Sequence, residues 1–267
     1  MNNADNSSPS VRDVLDRHPL ASKVILAIAA LILALLIVLG AVMLVLAFFS
    51  VDQIDIRGDS PYSEEEILSV CGIKKGDRLY YLGADEGERA LLEKYPYLKS
   101  VEIVAYFPNK AVIKLESFRR VFVAECEEGY CYLNGELKIL ETVSSDEEID
   151  KGAIRLVLSE GVRGSVGEKA AFDGAKLVDK IYSALSDFEY FNEIGRMDVS
   201  DARSISFVFL GKYKIILGDT QSIPEKLSLA LRIHGSDEFL KDSFAIIDVS
   251  NTKKAILRYV NEEDLSK

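Results

Sequence analysis

The sequence predicts an α+β protein in three parts: one N-terminal transmembrane helix, a small domain in the order β-α-α-β-β, and a second mixed β-rich domain with helices. Three observations predict it. Val24 to Phe49 is an unbroken apolar run. Residues 51–118 hold a short apolar strand, two segments with helix start and stop signals, and a hairpin pattern. Residues 119–260 carry many short alternating runs punctuated by glycine, asparagine and serine, with two amphipathic helices among them.

The apolar run comes first because it constrains the most. Its twenty-six positions contain no charged, amide or proline side chain, and at ~1.5 Å per residue they make a rod of roughly 39 Å, more than the ~30 Å hydrocarbon core requires. Eighteen positions are Leu, Ile, Val or Phe, so insertion is favoured by roughly 5 to 10 kcal/mol. A signal-peptide core is typically ~7–15 residues and ends in small residues. This run is longer and ends in Phe48-Phe49, which predicts an uncleaved anchor. Arg12, Arg17 and Lys23 precede it, while Asp52, Asp55 and Asp59 against Arg57 follow. The positive-inside rule therefore predicts a cytoplasmic tail over residues 1–23 and places everything from Val51 onward outside.

Residues 1–50 hold three Lys/Arg and three Asp/Glu, so the remaining 29 basic and 40 acidic residues, and the whole formal charge of −11, belong to the external part. An acidic surface repels nucleic acid and anionic lipid headgroups, and no basic stripe runs along any predicted helix. Nucleic acid is excluded as a partner on this ground. The opening M-N-N-A-D-N-S-S-P-S is polar and predicts a disordered tail.

In the first external unit, Val51, Ile54 and Ile56 lead into Gly58 as a short strand. Ser63 and Glu66 form a capping box, with Tyr62 and Ile67 at the staple positions, so a helix begins at Glu64 and ends near Cys71-Gly72. Asp85 and Glu88 read as a second capping pattern ahead of Leu91, Leu92 and Tyr95, and Pro96 closes that helix. Val101, Ile103 and Ala105, the Phe107-Pro108-Asn109-Lys110 turn, and Ala111, Ile113 and Leu115 spell a hairpin with one apolar face.

In the second unit, residues 121–124, 130–133 and 137–140 read as strands, the last two joined by a two-residue Asn134-Gly135 turn. Residues 154–158 form another strand. The G-V-R-G-S-V-G loop after it lacks the Lys-Ser/Thr of a phosphate-binding loop and reads as a plain connection to a helix carrying Leu177, Ile181 and Leu185. Strands then follow around residues 197–199, 205–209 and 213–217, with a helix near Pro224 that bears Leu227 and Leu231. His234 sits at its end as a solvated residue favoured by the helix dipole. Residues 244–249 and 255–260 close the unit as a hairpin, followed by an acidic tail over 261–267.

The segments I-D-I-R-G-D-S, E-E-E-I-L, G-I-K-K-G-D-R-L, L-L-E-K-Y-P-Y-L-K-S-V-E-I and F-P-N-K-A-V-I-K-L-E together resemble a POTRA domain. They are similar to the version in the bacterial cell-division family FtsQ/DivIB, whose plan is a short tail, one span, one POTRA unit and a β domain. Where that family often has proline after the last POTRA strand, Ser117-Phe118-Arg119-Arg120 stands here, which bears on the linker. The resemblance implies a POTRA domain over 51–118 and an FtsQ/DivIB-type β domain over 119–260. It implies a non-enzymatic scaffold of the division septum, bound to DivIC/FtsB-like and FtsL-like single-span proteins. It also places an exposed aromatic, Tyr259, in the strand that receives the partner.

The residues by themselves support binding over catalysis. A terminal strand with one unpaired edge accepts an extended segment by main-chain pairing, which makes Lys254, Ile256, Arg258 and Tyr259 the candidate partner-binding residues. Lys253, Lys254 and Arg258 would suit an acidic segment. No catalytic residue, cofactor or metal ligand is assigned: G-x-S-x-G and H-E-x-x-H are missing, and the two histidines are His18 and His234. Cys126 and Cys131 flank a turn where a cross-strand disulfide can form outside the cell, and the competing reading is three modestly buried thiols, Cys71 included. The rival class is a membrane-anchored envelope enzyme or ligand sensor with its site in the β domain.

Overall fold

The computed structural model describes residues 19–150, 152–186, 190–236 and 239–265. The expected cytoplasmic tail through His18 lies outside them. Helix α1 spans Pro19–Phe48, so it begins before the apolar run does. Over Lys23–Val45 it is long and apolar enough to cross a membrane, and no part of that stretch is covered by the rest of the protein. A helix apolar on every side and packed against nothing has hydrocarbon as its natural solvent.

Two sheets follow. The first has the order β1-β3-β2, with β1 Gln53–Gly58 parallel to β3 Lys110–Ser117 and β2 Leu98–Tyr106 antiparallel to it. Helices α2 Glu64–Cys71 and α3 Ala84–Lys94 cover one face. Ile67, Leu79, Leu91, Leu98 and Ile113 are fully buried in this core, each contributing about 1.5 to 3 kcal/mol. The Ser63 and Glu66 capping box forms as read, and Gly72 ends α2 in the left-handed region at φ 75°.

The second capping pattern does not form. Gly83, left-handed at φ 60°, caps α3 without a side-chain bond, so Asp85 falls inside the first turn. The Glu88 carboxylate instead accepts the Ile103 backbone N–H at 2.7 Å, tying α3 to β2. The helix does stop before Pro96.

The second sheet has nine strands in the order β12-β11-β10-β9-β8-β7-β4-β5-β6. They are β4 Phe122–Cys126, β5 Gly129–Leu133, β6 Ile139–Val143, β7 Ile154–Val157, β8 Ile194–Asp198, β9 Ile205–Phe209, β10 Tyr213–Gly218, β11 Phe244–Asn251 and β12 Lys254–Val260. Helices α4 Ala175–Leu185 and α5 Ile223–His234 lay Val178, Ile181, Leu185, Leu227 and Ala230 onto one face, where Phe122, Phe207 and Phe209 are among the residues that receive them. The opposite face is open over most of its width. Along β7, β10 and most of β11 the residues alternate between buried and half-buried, which is the period-2 signature of a sheet packed on one side.

Two expectations for this unit are corrected, and one alternative is decided. The turn after β5 is not two residues long: Leu133 pairs with Ile139, and the Asn134 Oδ1 accepts the backbone N–H of both Glu136 and Lys138. Gly135 is needed because a Cβ there would come within 2.5 Å of the Tyr182 hydroxyl, not for a turn angle. The third strand accordingly moves to Ile139–Val143. His234 is no solvated residue, since its ring lies 5.2 Å from Tyr213, 5.3 Å from Phe239 and 5.6 Å from Phe209. Burial among those rings, with Lys241 nearby, lowers its pKa. All three cysteines are free. Burial, then the neighbouring Cys126, pushes the Cys131 thiol up to about 12.

Candidate functional site

Strand β12 is the outermost strand of the nine-stranded sheet, hydrogen-bonded to β11 alone. Its position follows from the chain: the Asn251-to-Lys254 turn folds the last strand back on β11, and no later strand covers it among the described residues. One rim of N–H and C=O groups is therefore available for pairing.

Strand alternation divides the four predicted residues. Ala255 and Leu257 pack toward the helices, so Tyr259 shares their face, while Lys254, Ile256 and Arg258 share the open one. Ile256 is 47 % exposed and Tyr259 43 %. The Tyr259 hydroxyl accepts the Leu240 backbone N–H at 3.1 Å, and its ring lies 6.3 Å from Phe239. Tyr259 thus braces the loop at Phe239-Leu240 and, together with exposed Leu240, makes an apolar rim on that side of the edge.

The open face adds something that the linear sequence conceals. Register aligns Arg155 with Arg196, Arg196 with Val208, Val208 with Lys214, Lys214 with Ile246, and Ile246 with Arg258. These six residues form one row across six strands, about 24 Å long at ~4.8 Å per strand, and four of them are cations. Arg155 is already ion-paired with Asp146 and lies 5.3 Å from the Tyr130 ring centre. Arg196, Lys214 and Arg258 have no ion pair among the described residues. The residues lie tens of positions apart and meet only through strand pairing, so no spacing rule could have found them. Leu240 was missed because it stands in a loop without periodicity.

The chain end comes back to this face. Leu265 is buried and lines a small recess with Arg196, Ser206, Val208 and Lys214. At the far end of the row, a cleft of about 280 Å³ is lined by Tyr130, Arg155, Arg196, Glu125 and Glu160, among others. Among the described residues, no group of three or more His, Cys, Asp or Glu side chains could hold a metal ion.

An N-terminal helix long and apolar enough to cross a membrane, a small α/β unit directly after it and a wide sheet ending in an exposed strand are the plan of a POTRA-bearing protein. A family model described as "POTRA domain, FtsQ-type" matches residues 49–116. The chain is 23% identical over 218 residues to the cell division protein DivIB of Clostridium acetobutylicum, a match covering 80% of this chain and 84% of that protein. It is 23% identical over 230 residues to the cell division protein DivIB of Clostridium botulinum strain Hall, covering 84% and 87%. It is 27% identical over 180 residues to the cell division protein FtsQ of Myxococcus fulvus, covering 65% and 60%. The chain thus carries a POTRA domain of the FtsQ type and is similar, over most of its length, to cell division proteins named DivIB.

Proposed function

We propose that this protein is a non-enzymatic scaffold of the bacterial division complex. Its N-terminus is cytoplasmic, both folded units lie outside the membrane, and it acts at the septum by binding DivIC/FtsB-like and FtsL-like single-span proteins and so organising septal wall synthesis. It needs no cofactor, nucleic acid or small-molecule substrate for that role. The observation that carries the reading is the placement of β12: an unpaired sheet edge with Ile256 and Arg258 on one side, Tyr259 and Leu240 on the other, and further cations in register behind Arg258. An extended acidic segment adding to that edge gains main-chain hydrogen bonds along β12, and its alternate side chains meet a cationic surface on one face and an apolar one on the other.

Co-purification of a DivIC-like partner with the full-length chain tests the reading. Ile256→Glu combined with Tyr259→Ala removes a contact from each face of the strand and should cut recovery of the partner while the melting curve keeps one cooperative transition. Undiminished recovery from a folded double variant would refute the placement.

A further inference from the structure

The first external unit leaves the membrane without a linker. Helix α1 ends at Phe48, and the next three residues are already hydrogen-bonded into the fold. The Leu79 N–H donates to the Phe49 carbonyl at 3.0 Å, the Val51 N–H to the Asp77 carbonyl at 2.8 Å, and the Gly76 N–H to the Val51 carbonyl at 2.8 Å. Ser50 and Arg78 form an antiparallel bridge between them. On the other side, the Asn109 carbonyl accepts the N–H groups of Asp52 and Gln53, and the Phe107 ring stands edge-on to Phe49 with centroids 5.5 Å apart.

Direction then fixes what faces the bilayer. The chain runs outward through Phe49–Val51, so the antiparallel Gly76–Leu79 segment runs back toward the membrane. Tyr80 and Tyr81 follow its last rung. Tyr81 is 84 % exposed and Phe107 64 %, with Tyr80, Phe48 and Tyr106 also exposed, so several aromatic rings crowd the exit of one helix with little protein over them. Rings that join an apolar body to a polar tip settle at the headgroup level of a bilayer. Lys74, Lys75 and Arg78 share the loop with Asp77, Asp52 follows Val51, and Asp85, Glu86 and Arg89 line one cleft with Tyr80 and Tyr81, so charges of both signs balance at this rim in an exterior that is acidic as a whole. Charges within a Debye length of ~8 to 10 Å feel the phospholipid headgroups.

We propose that this rim is a membrane-contact collar: Tyr80, Tyr81 and Phe107 lie in the headgroup layer of the outer leaflet around the exit of α1, and the occupant of the surface is the phospholipid of the membrane that holds the helix. The collar reverses, for this rim, the expectation that the exterior is repelled by lipid headgroups. It rests on the reading of α1 as a span.

The chain contains no tryptophan, so single substitutions give clean fluorescence probes in the full-length protein reconstituted into phosphatidylcholine and phosphatidylglycerol vesicles. Leu35→Trp reports the middle of the span, and Tyr81→Trp and Phe107→Trp report the collar. Val166→Trp reports water, because its loop lies by Pro96, at the other end of the nine-residue β2 from Phe107. Lipids brominated deep in the chain should quench Leu35→Trp. Lipids brominated next to the headgroup should quench Tyr81→Trp and Phe107→Trp and leave Val166→Trp bright. If Leu35→Trp is quenched while both collar probes stay as bright as Val166→Trp, the collar is overturned and the span stands. If Leu35→Trp is not quenched by either lipid, the span reading fails and the collar with it.

Discussion

Arg120 donates its Nε–H to the Tyr97 hydroxyl at 2.7 Å, a contact that joins the first sheet unit to the linker entering the second. The same guanidinium pairs with Glu141 at 2.7 Å and lies 4.7 Å from the Tyr132 ring centre. Burial, the largest influence, raises the Tyr97 pKa, so the phenol stays a neutral acceptor for Arg120. Ser117-Phe118-Arg119-Arg120 therefore does more than connect: its last residue fastens the two units together.

Arg120→Ala should loosen that junction. The loss is about 1.5 to 3 kcal/mol for a hydrogen bond to a charged group, and Tyr97→Phe should cost less because the cation–π contacts survive. Limited proteolysis should cut between residues 117 and 121 faster in Arg120→Ala than in the parent, and an unchanged cleavage rate would remove the fastening role.

Gly58→Ala should destabilise the first unit severely. Gly58 has φ 108°, and a Cβ on it would lie 1.9 Å from the Leu115 carbonyl oxygen of the strand beside it. Left-handed strain and the clash with backbone together cost about 3 kcal/mol or more. Denaturant unfolding of the external part should show an early transition belonging to residues 51–118 while the second unit keeps its own.

His234 should make stability pH-dependent on the acid side. Its pKa is lowered in the folded state, so the unfolded chain binds the proton more readily. The contribution is fully present above the unfolded value, near 6.5, and is lost as pH falls through the lower folded one. His234→Phe should flatten the melting-temperature profile below about pH 6.5 relative to the parent, and parallel profiles would show that the ring titrates as if in water.

Arg258→Glu should weaken partner binding more at low salt than at high salt, because a row of cations attracts an acidic segment over a distance set by screening. Leu265→Asp tests the middle of that surface. It should release the chain end from Val208 and Lys214 and raise affinity for an acidic partner peptide in titration calorimetry, and equal affinity would mean that the tail does not compete.

Local chemistry made the first unit legible. Ser63, Glu66 and Gly72 signal a helix through contacts within a few residues of one another, and the closing hairpin placed β12 at the chain's last edge. Asp85 misled because Gly83 and the turn at Leu79–Tyr81 set the helix start, leaving Glu88 free to reach β2. Asn134-Gly135 misled because the glycine answers to the Tyr182 ring from another element. His234 was misread because Phe209 and Tyr213, from two strands before its helix, and Phe239 after it pack against its ring. The cationic row was invisible for the same reason: Arg196, Lys214 and Arg258 share a line only once register is known. Candidate residues on β12 could be named from sequence, but not the fact that Ile256 and Tyr259 point to opposite faces.

The hydrogen bonds that bind Phe49 and Val51 to the loop at Gly76–Leu79 have a mechanical consequence. With no slack between bilayer and fold, the height of the β12 edge above the membrane is set by the stacked units and the Arg120 junction, as the arm of a gauge is set by its post. On the proposed reading, a partner anchored in the same membrane would have to present its segment at that altitude, and a change in its length by a few helical turns would move the segment past the edge.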